Sequence, residues 1–289
     1  MKRALAAARL VAAAGAARAA YAVLTRRPPG GEKTWTRVNH RGEPVTLLEG
    51  PAVAAGAVLA ELLFYPERTS SSARPARSLA LALAGAGAFG FGVYDDLAGS
   101  GKRRGLRGHL GALANGEVTT GAVKLGGLGV TGAASALLLG GEPIDVVVNA
   151  GLVAGGANLL NLFDLRPGRA IKVATLSAAL ITAGGGERGA RAAAAPLGAA
   201  LALLPDDLGE RAMLGDAGAN ALGAMLGGAA AVSLPRPARI ALLAGIVALT
   251  GASEKISFTK VIERTPPLRW LDMLGRRPPA AAPAPRQES

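Results

Sequence analysis

Six aspartates stand where this chain leaves its apolar stretches: Asp95, Asp96, Asp164, Asp206, Asp207 and Asp216. Residues 78–94 carry no charge, and a run of about 17 such residues is just long enough to cross a bilayer core as a helix. Asp95 and Asp96 then sit where hydrocarbon gives way to water. A carboxylate pair there is costly unless a cation or a basic ligand neutralises it. Lys102, Arg103, Arg104 and Arg107 follow closely, and Lys124 follows after them. Those types suit a metal and phosphate site. Carboxylates hold a hard cation such as Mg²⁺, and Lys and Arg take the phosphate oxygens that the metal does not reach. Asn158, Asn161 and Asp164 recur every three residues and so share a helix face; such side chains orient carboxylates or read hydroxyls and amides. A solvated helix end explains one aspartate taken alone. Plain packing through small residues explains Gly215, Gly218 and Gly223 equally well when each is taken singly.

The elements that must position these groups are apolar. Half of the 289 residues are hydrophobic but only 3% are aromatic, and the Ala and Gly that dominate favour closely packed membrane helices. Without cysteine there is neither a disulfide nor a thiolate metal site, and two histidines exclude a His-rich metal centre. The net charge of +12 does not mark a nucleic-acid binder. Its cations lie between apolar runs, and few aromatics are present to stack on bases. Apolar stretches at 5–24, 50–65, 78–94, 125–139, 144–163, 171–183, 192–204, 214–234 and 238–252 predict an all-α, polytopic membrane bundle of about nine transmembrane helices. Residues 28–49 are expected as a polar loop and 184–191 as a turn. The chain reads as one domain, 1–277, with a disordered Pro/Ala-rich tail at 278–289.

Lys and Arg set the orientation. They are about twice as numerous on the side that holds 25–49, 95–124, 164–172, 205–216 and the tail. That side is expected to be cytoplasmic, with the N-terminus outside. All six aspartates, with Asn158 and Asn161, then fall on the cytoplasmic face.

Three motifs occur in order: Gly92-Val-Tyr-Asp95-Asp96, Asn158-Leu-Leu-Asn161-Leu-Phe-Asp164 and Gly215-Asp216-Ala-Gly218. Together they resemble the polyprenyl-phosphate N-acetylhexosamine-1-phosphate transferases, which include phospho-N-acetylmuramoyl-pentapeptide transferase. Arg37-Val-Asn-His40, with Pro44 and Gly50, is similar to a fourth, weaker motif of that family. The resemblance spans about residues 35 to 235. It implies transfer of a sugar 1-phosphate from a UDP-sugar to polyprenyl phosphate, releasing UMP, for cell-envelope glycan synthesis. It further implies Mg²⁺ held by Asp96 and Asp216, and Asp95 orienting or deprotonating the lipid phosphate. A covalent aspartyl-phosphate route through Asp216 stays open. Lys102 and Lys124 are the first candidates for phosphate contacts, with Arg166 and Arg169 after them. Asn158, Asn161, Asp164 and His40 complete the expected substrate site. The implied partners are polyprenyl phosphate, a UDP-sugar and the plasma membrane, with no nucleic acid and with room for a homodimer. Two features depart from the family: Leu165-Arg-Pro-Gly-Arg169 replaces its usual Gly-x-Asp-Gly, and its His-rich C-terminal loop is missing. They leave a second class in view, a membrane scaffold or lipid-binding protein that kept the fold without catalysis. The CDP-alcohol phosphotransferases are set aside, because their Asp-Gly-x-x-Ala-Arg motif is absent.

Overall fold

The computed structural model describes residues 2–64, 73–99, 108, 111–112 and 115–278. Among them are eleven helices and one small hairpin, so the protein is all-α. Helix α1 (Lys2–Arg26) is rich in Ala, the best helix former, and stops ahead of Pro28-Pro29, which cannot supply the amides a continuing helix needs. One turn, α2 (Glu32–Trp35), leads into strands β1 (Thr36–Val38) and β2 (Pro44–Thr46), which pair antiparallel. This hairpin lies inside the stretch expected as a polar loop. Asn39 closes it by accepting, at Oδ1, from the amides of Arg41 and Glu43.

The helices that carry the aspartates follow. Helix α3 (Glu49–Leu63) is short, and α4 (Ala73–Ala98) carries Asp95 and Asp96 near its C-terminal end. Helix α5 (Thr120–Leu139) is N-capped by Thr119, whose hydroxyl oxygen accepts from the Ala122 amide. It therefore begins five residues earlier than the apolar pattern indicates, and Lys124 belongs to the helix. Helix α6 (Pro143–Phe163) begins on a proline suited to a first helical position and ends at Asp164.

Helix α7 (Arg169–Leu208) is 40 residues long but breaks at Gly186, where φ is +56°. Unbroken it would measure about 60 Å. Instead Gly168 packs on Leu208, and Gly189 on Ile181 and Thr182, so its two arms run antiparallel. The arms are the apolar stretches 171–183 and 192–204.

At the centre, α8 (Gly215–Ser233) is buried along nearly its whole length. Hydrocarbon tails are as apolar as leucine, so closeness of fit rather than apolarity must hold such a helix in place. A Cβ added to Gly156 of α6 would lie 2.6 Å from the Gly223 oxygen of α8, and one added to Gly92 of α4 would lie 2.5 Å from the Asp216 oxygen. Only glycine permits those two approaches, and they bring the three motif-bearing helices together.

Helices α9 (Arg236–Ser253), α10 (Phe258–Arg264) and α11 (Pro266–Met273) complete the chain. Arg236 and Arg239, at the start of α9, bind Asp145 at the start of α6, both at 2.9 Å or less. At the other end Phe163 stacks on Phe258, with ring centroids 4.9 Å apart. Helices α6 and α9 therefore run parallel, and α10 lies at the same end as Asp164. Among the described residues four helices, α1, α4, α5 and α6, are long and apolar enough to cross a membrane, and α9 with α10 makes a fifth if the bent pair counts as one span.

Candidate active site

The end of α4, the start of α5 and the start of α8 meet at one point. Lys124 Nζ lies 2.7 Å from Asp95 Oδ2 and 2.5 Å from Asp216 Oδ2, with the ammonium and both carboxyls largely enclosed. The Asp95 and Asp216 carboxyls are within hydrogen-bonding reach of each other, and Thr120 also hydrogen-bonds Asp95. Thr120 precedes Lys124 by one helical turn, so both reach the same spot. Nothing in the sequence motifs marked Thr120; its spacing from Lys124 was the one available signal.

Asp96 does something different. Its Oδ1 accepts from the Asp216 amide at 3.1 Å and its Oδ2 from the Ala217 amide at 2.9 Å. It caps the N-terminus of α8 from a neighbouring helix, satisfying amides that have no partner inside their own helix. Arg37 secures the other side by donating to the Asp96 carbonyl oxygen at 2.5 Å. The hairpin is thereby fastened to the end of α4.

Asp164 belongs to the same assembly. Its carboxyl accepts from the Gly215 amide, and its Oδ2 is sealed from solvent without a hydrogen-bond partner. Burial first, then the charges of Asp207, Asp216 and Asp96, hold Asp164 well above the usual carboxylate range. Asp207 is buried as well and is pushed up to about 7, although the Gly168 amide donates to it and pulls the other way. Glu49 is fully buried, and neither of its oxygens has a hydrogen-bond partner among the described residues. Glu49 and Asp207 form a deeper acidic layer that sequence motifs did not mark for the site.

Beside Asp164 opens a cavity of about 210 Å³, lined by Asn39, His40, Arg166, Asp207 and Glu210 among others. Glu210 accepts from Asn39 and Arg41, each at 2.9 Å, and His40 Nδ1 lies 3.9 Å from it. Burial lowers the His40 pKa, with Glu210 opposing. Glu210 holds φ at +56°, a rare conformation for a side chain larger than Gly. Its side chain is anchored by Arg41 and Asn39.

Of the expected site residues, Asp95, Asp96, Lys124, Asp164 and Asp216 come together. Asn158 and Asn161 are part-buried on α6, and neither amide has a hydrogen-bond partner among the described residues. Arg166 faces the cavity with His40. Arg169 is drawn elsewhere: it is buried, binds Asp272 of α11 at 2.7 Å and donates to the Thr259 hydroxyl oxygen at 2.9 Å. Lys102 lies outside the described residues.

Whether these groups suit Mg²⁺ depends on the donor set. Mg²⁺ is usually held by one or two carboxylates together with substrate phosphates and water. Asp95 and Asp216 supply such a pair, converging on a spot that a positive charge already occupies. Each Asp96 oxygen accepts from one backbone amide, which leaves each a further lone pair. Among the described residues no three carboxylates or imidazoles gather to hold a metal on their own. The chain matches no protein-family model and no curated protein.

Proposed function

We propose that the protein is a membrane enzyme of phosphoryl transfer. Within that class, the reading supported best is transfer of a sugar 1-phosphate from a UDP-sugar to polyprenyl phosphate. One observation carries it: Asp95, Asp216 and Lys124, from three helices, converge at the end of the bundle that also holds Asp164 and the cavity with Arg166 and His40. In the reaction an oxygen of the lipid phosphate attacks the β-phosphorus of the nucleotide. The bond from that phosphorus to the bridging oxygen breaks, and UMP leaves with the electron pair. Two anionic groups must meet, so positioning and charge neutralisation supply most of the catalysis.

Lys124 neutralises charge as the phosphates arrive. Asp95 and Asp216 orient the lipid phosphate and are the residues that would hold Mg²⁺. Bound there, the ion would polarise phosphoryl oxygens as a Lewis acid. Asp96 fixes the α8 N-terminus, and with it Asp216. Arg166 contacts the diphosphate, while Asn158, Asn161 and Asp164 hold the nucleotide-sugar end. Nine crossings, an outside N-terminus and a cytoplasmic site in the plasma membrane complete the reading, and the Lys and Arg distribution supports that orientation. The scaffold reading is favoured by one observation, the closure of Arg169 onto Asp272. The test is purified protein with undecaprenyl phosphate, Mg²⁺ and a panel of UDP-sugars, scored for UMP. Release that needs the lipid phosphate is expected from at least one sugar, and silence across the panel would leave the scaffold.

A further inference from the structure

Helix α11 leaves its apolar face uncovered. Leu271 follows Leu268 by three, and Leu274, just past the last helical residue, follows Leu271 by three and Trp270 by four, so the four make one broad apolar band. Each is exposed, Trp270 to 68%. Asp272, one turn on from Leu268 and so on the flank of that band, fixes the helix to the protein. Asp272 accepts from Arg169, Lys172 donates to the Asp272 carbonyl oxygen, and Arg276 returns to Asp272 at 2.8 Å. A helix so firmly held should not leave its largest apolar groups in water.

Three observations say what covers them. Helix α9 exposes Ile240, Leu242, Val247 and Leu249 and buries only Ile246, as a helix against hydrocarbon would. The chain then turns by 95° into α10, which sets α10 across the end of the bundle rather than along it. Arg264 and Arg269 line one recess with Trp270, Leu274 and the acid Glu263; with Lys260 on α10 they stand exposed, and none of the three cations forms an ion pair among the described residues. An apolar face with Trp, flanked by cations at the end of the bundle, fits an interface rich in anionic headgroups.

We propose that α10 and α11 form an interfacial platform on the membrane surface beside the active site, with Leu268, Trp270, Leu271 and Leu274 in the upper acyl layer and Lys260, Arg264 and Arg269 on anionic phospholipid headgroups. Because Asp272 ties α11 to Arg169 at the head of α7, the platform also fixes the turn that carries Arg166. The inference rests on α9 lying in a bilayer and not on the transfer reaction, so its test reads no turnover.

The natural chain has no cysteine, so Leu271→Cys and, separately, Leu274→Cys give single nitroxide labels in the full-length protein in vesicles. In phosphatidylcholine, dissolved oxygen should reach either label several-fold more readily than a water-soluble nickel chelate. Adding phosphatidylglycerol should increase that preference, and replacing Lys260, Arg264 and Arg269 with Gln should abolish the increase. Preferential access by the nickel chelate would place the face in water and overturn the proposal. Protection from both probes would mean that protein covers it, a second copy included, and would overturn it equally. No response to phosphatidylglycerol would remove the headgroup assignment. Should both cysteine variants fail to fold, quenching of Trp270 in the natural chain by acyl-brominated lipid, with Trp270→Phe as the blank, decides the same question.

Discussion

The two ends of the helical bundle treat buried charge differently: both hold paired carboxylates, such as Asp206 with Arg18 at the site end, but the site end also holds carboxyls short of partners. Away from the site, Glu61 meets Arg9 at 3.2 Å, and Asp145 is held by both Arg236 and Arg239. Each carboxylate there has at least one guanidinium of its own. At the site end, Asp95 and Asp216 share the single ammonium of Lys124. Asp164, Asp207 and Glu49 keep oxygens with no hydrogen-bond partner among the described residues. Paired charge in an apolar bundle fixes helices against one another. Charge left short of partners costs stability, and a protein retains it where a ligand completes the balance.

Breaking a pair at the first end should have the largest effect on folding. Glu61→Gln removes the carboxylate that the enclosed Arg9 guanidinium meets at 3.2 Å, and loss of one partner of a buried pair typically costs about 3–5 kcal/mol. Thermal unfolding in lipid would show it, with turnover per folded molecule unchanged. Asp216→Asn should do the reverse. Removing one preorganised electrostatic group commonly lowers turnover about 10²–10³-fold, and the melting temperature should hold or rise as the crowding of acids is relieved. A stable, fully active Asp216→Asn would erase the contrast between the ends.

Arg166 and Arg169 sharpen it within a single turn of chain. Arg166→Ala should weaken UDP-sugar binding by about 1.5–3 kcal/mol, the range for a hydrogen bond to a charged group, with stability little changed. Arg169→Ala should instead unfold more easily, because Asp272 loses the guanidinium that holds it. Binding and melting measured on both variants separate the two roles.

A pH dependence of the melting temperature is also expected. Asp207 is raised to about 7 in the folded protein, against about 3.9 for an exposed aspartate. A raised carboxyl contributes stability that is fully present below the unfolded value and is lost as pH rises through the folded one. Asp207→Asn should therefore melt like the natural protein near pH 4 and above it at pH 8, the gap opening between those limits. A gap that closes with rising pH would reverse the assignment.

Much of this site is legible in the sequence because its chemistry is local. Asp95 and Asp96 end an apolar run, Asn158, Asn161 and Asp164 repeat at helical spacing, and Gly215-Asp216 opens a helix. The break of α7 was visible too, in Gly184-Gly-Gly186. What escaped depends on pairing across the chain. Arg169 finds Asp272 about a hundred residues away, and no local pattern distinguishes that guanidinium from Arg166. That Asp96 also caps α8, accepting an amide at each oxygen, depends on a helix 120 residues further on and has no local signal. The hairpin of β1 and β2 was hidden because three-residue strands with polar members give no periodic signal. Asp207 was already placed on that face by its helix end, whereas Glu49 becomes a site neighbour only once the helix ends are folded together.

The most direct test follows one atom. The account predicts that a UDP-sugar labelled at its β-phosphorus, given to the protein with undecaprenyl phosphate and Mg²⁺, passes the label into the lipid fraction while an equal amount of UMP appears. Label that stays in the aqueous phase, whether in unreacted UDP-sugar or in released UDP, would contradict it.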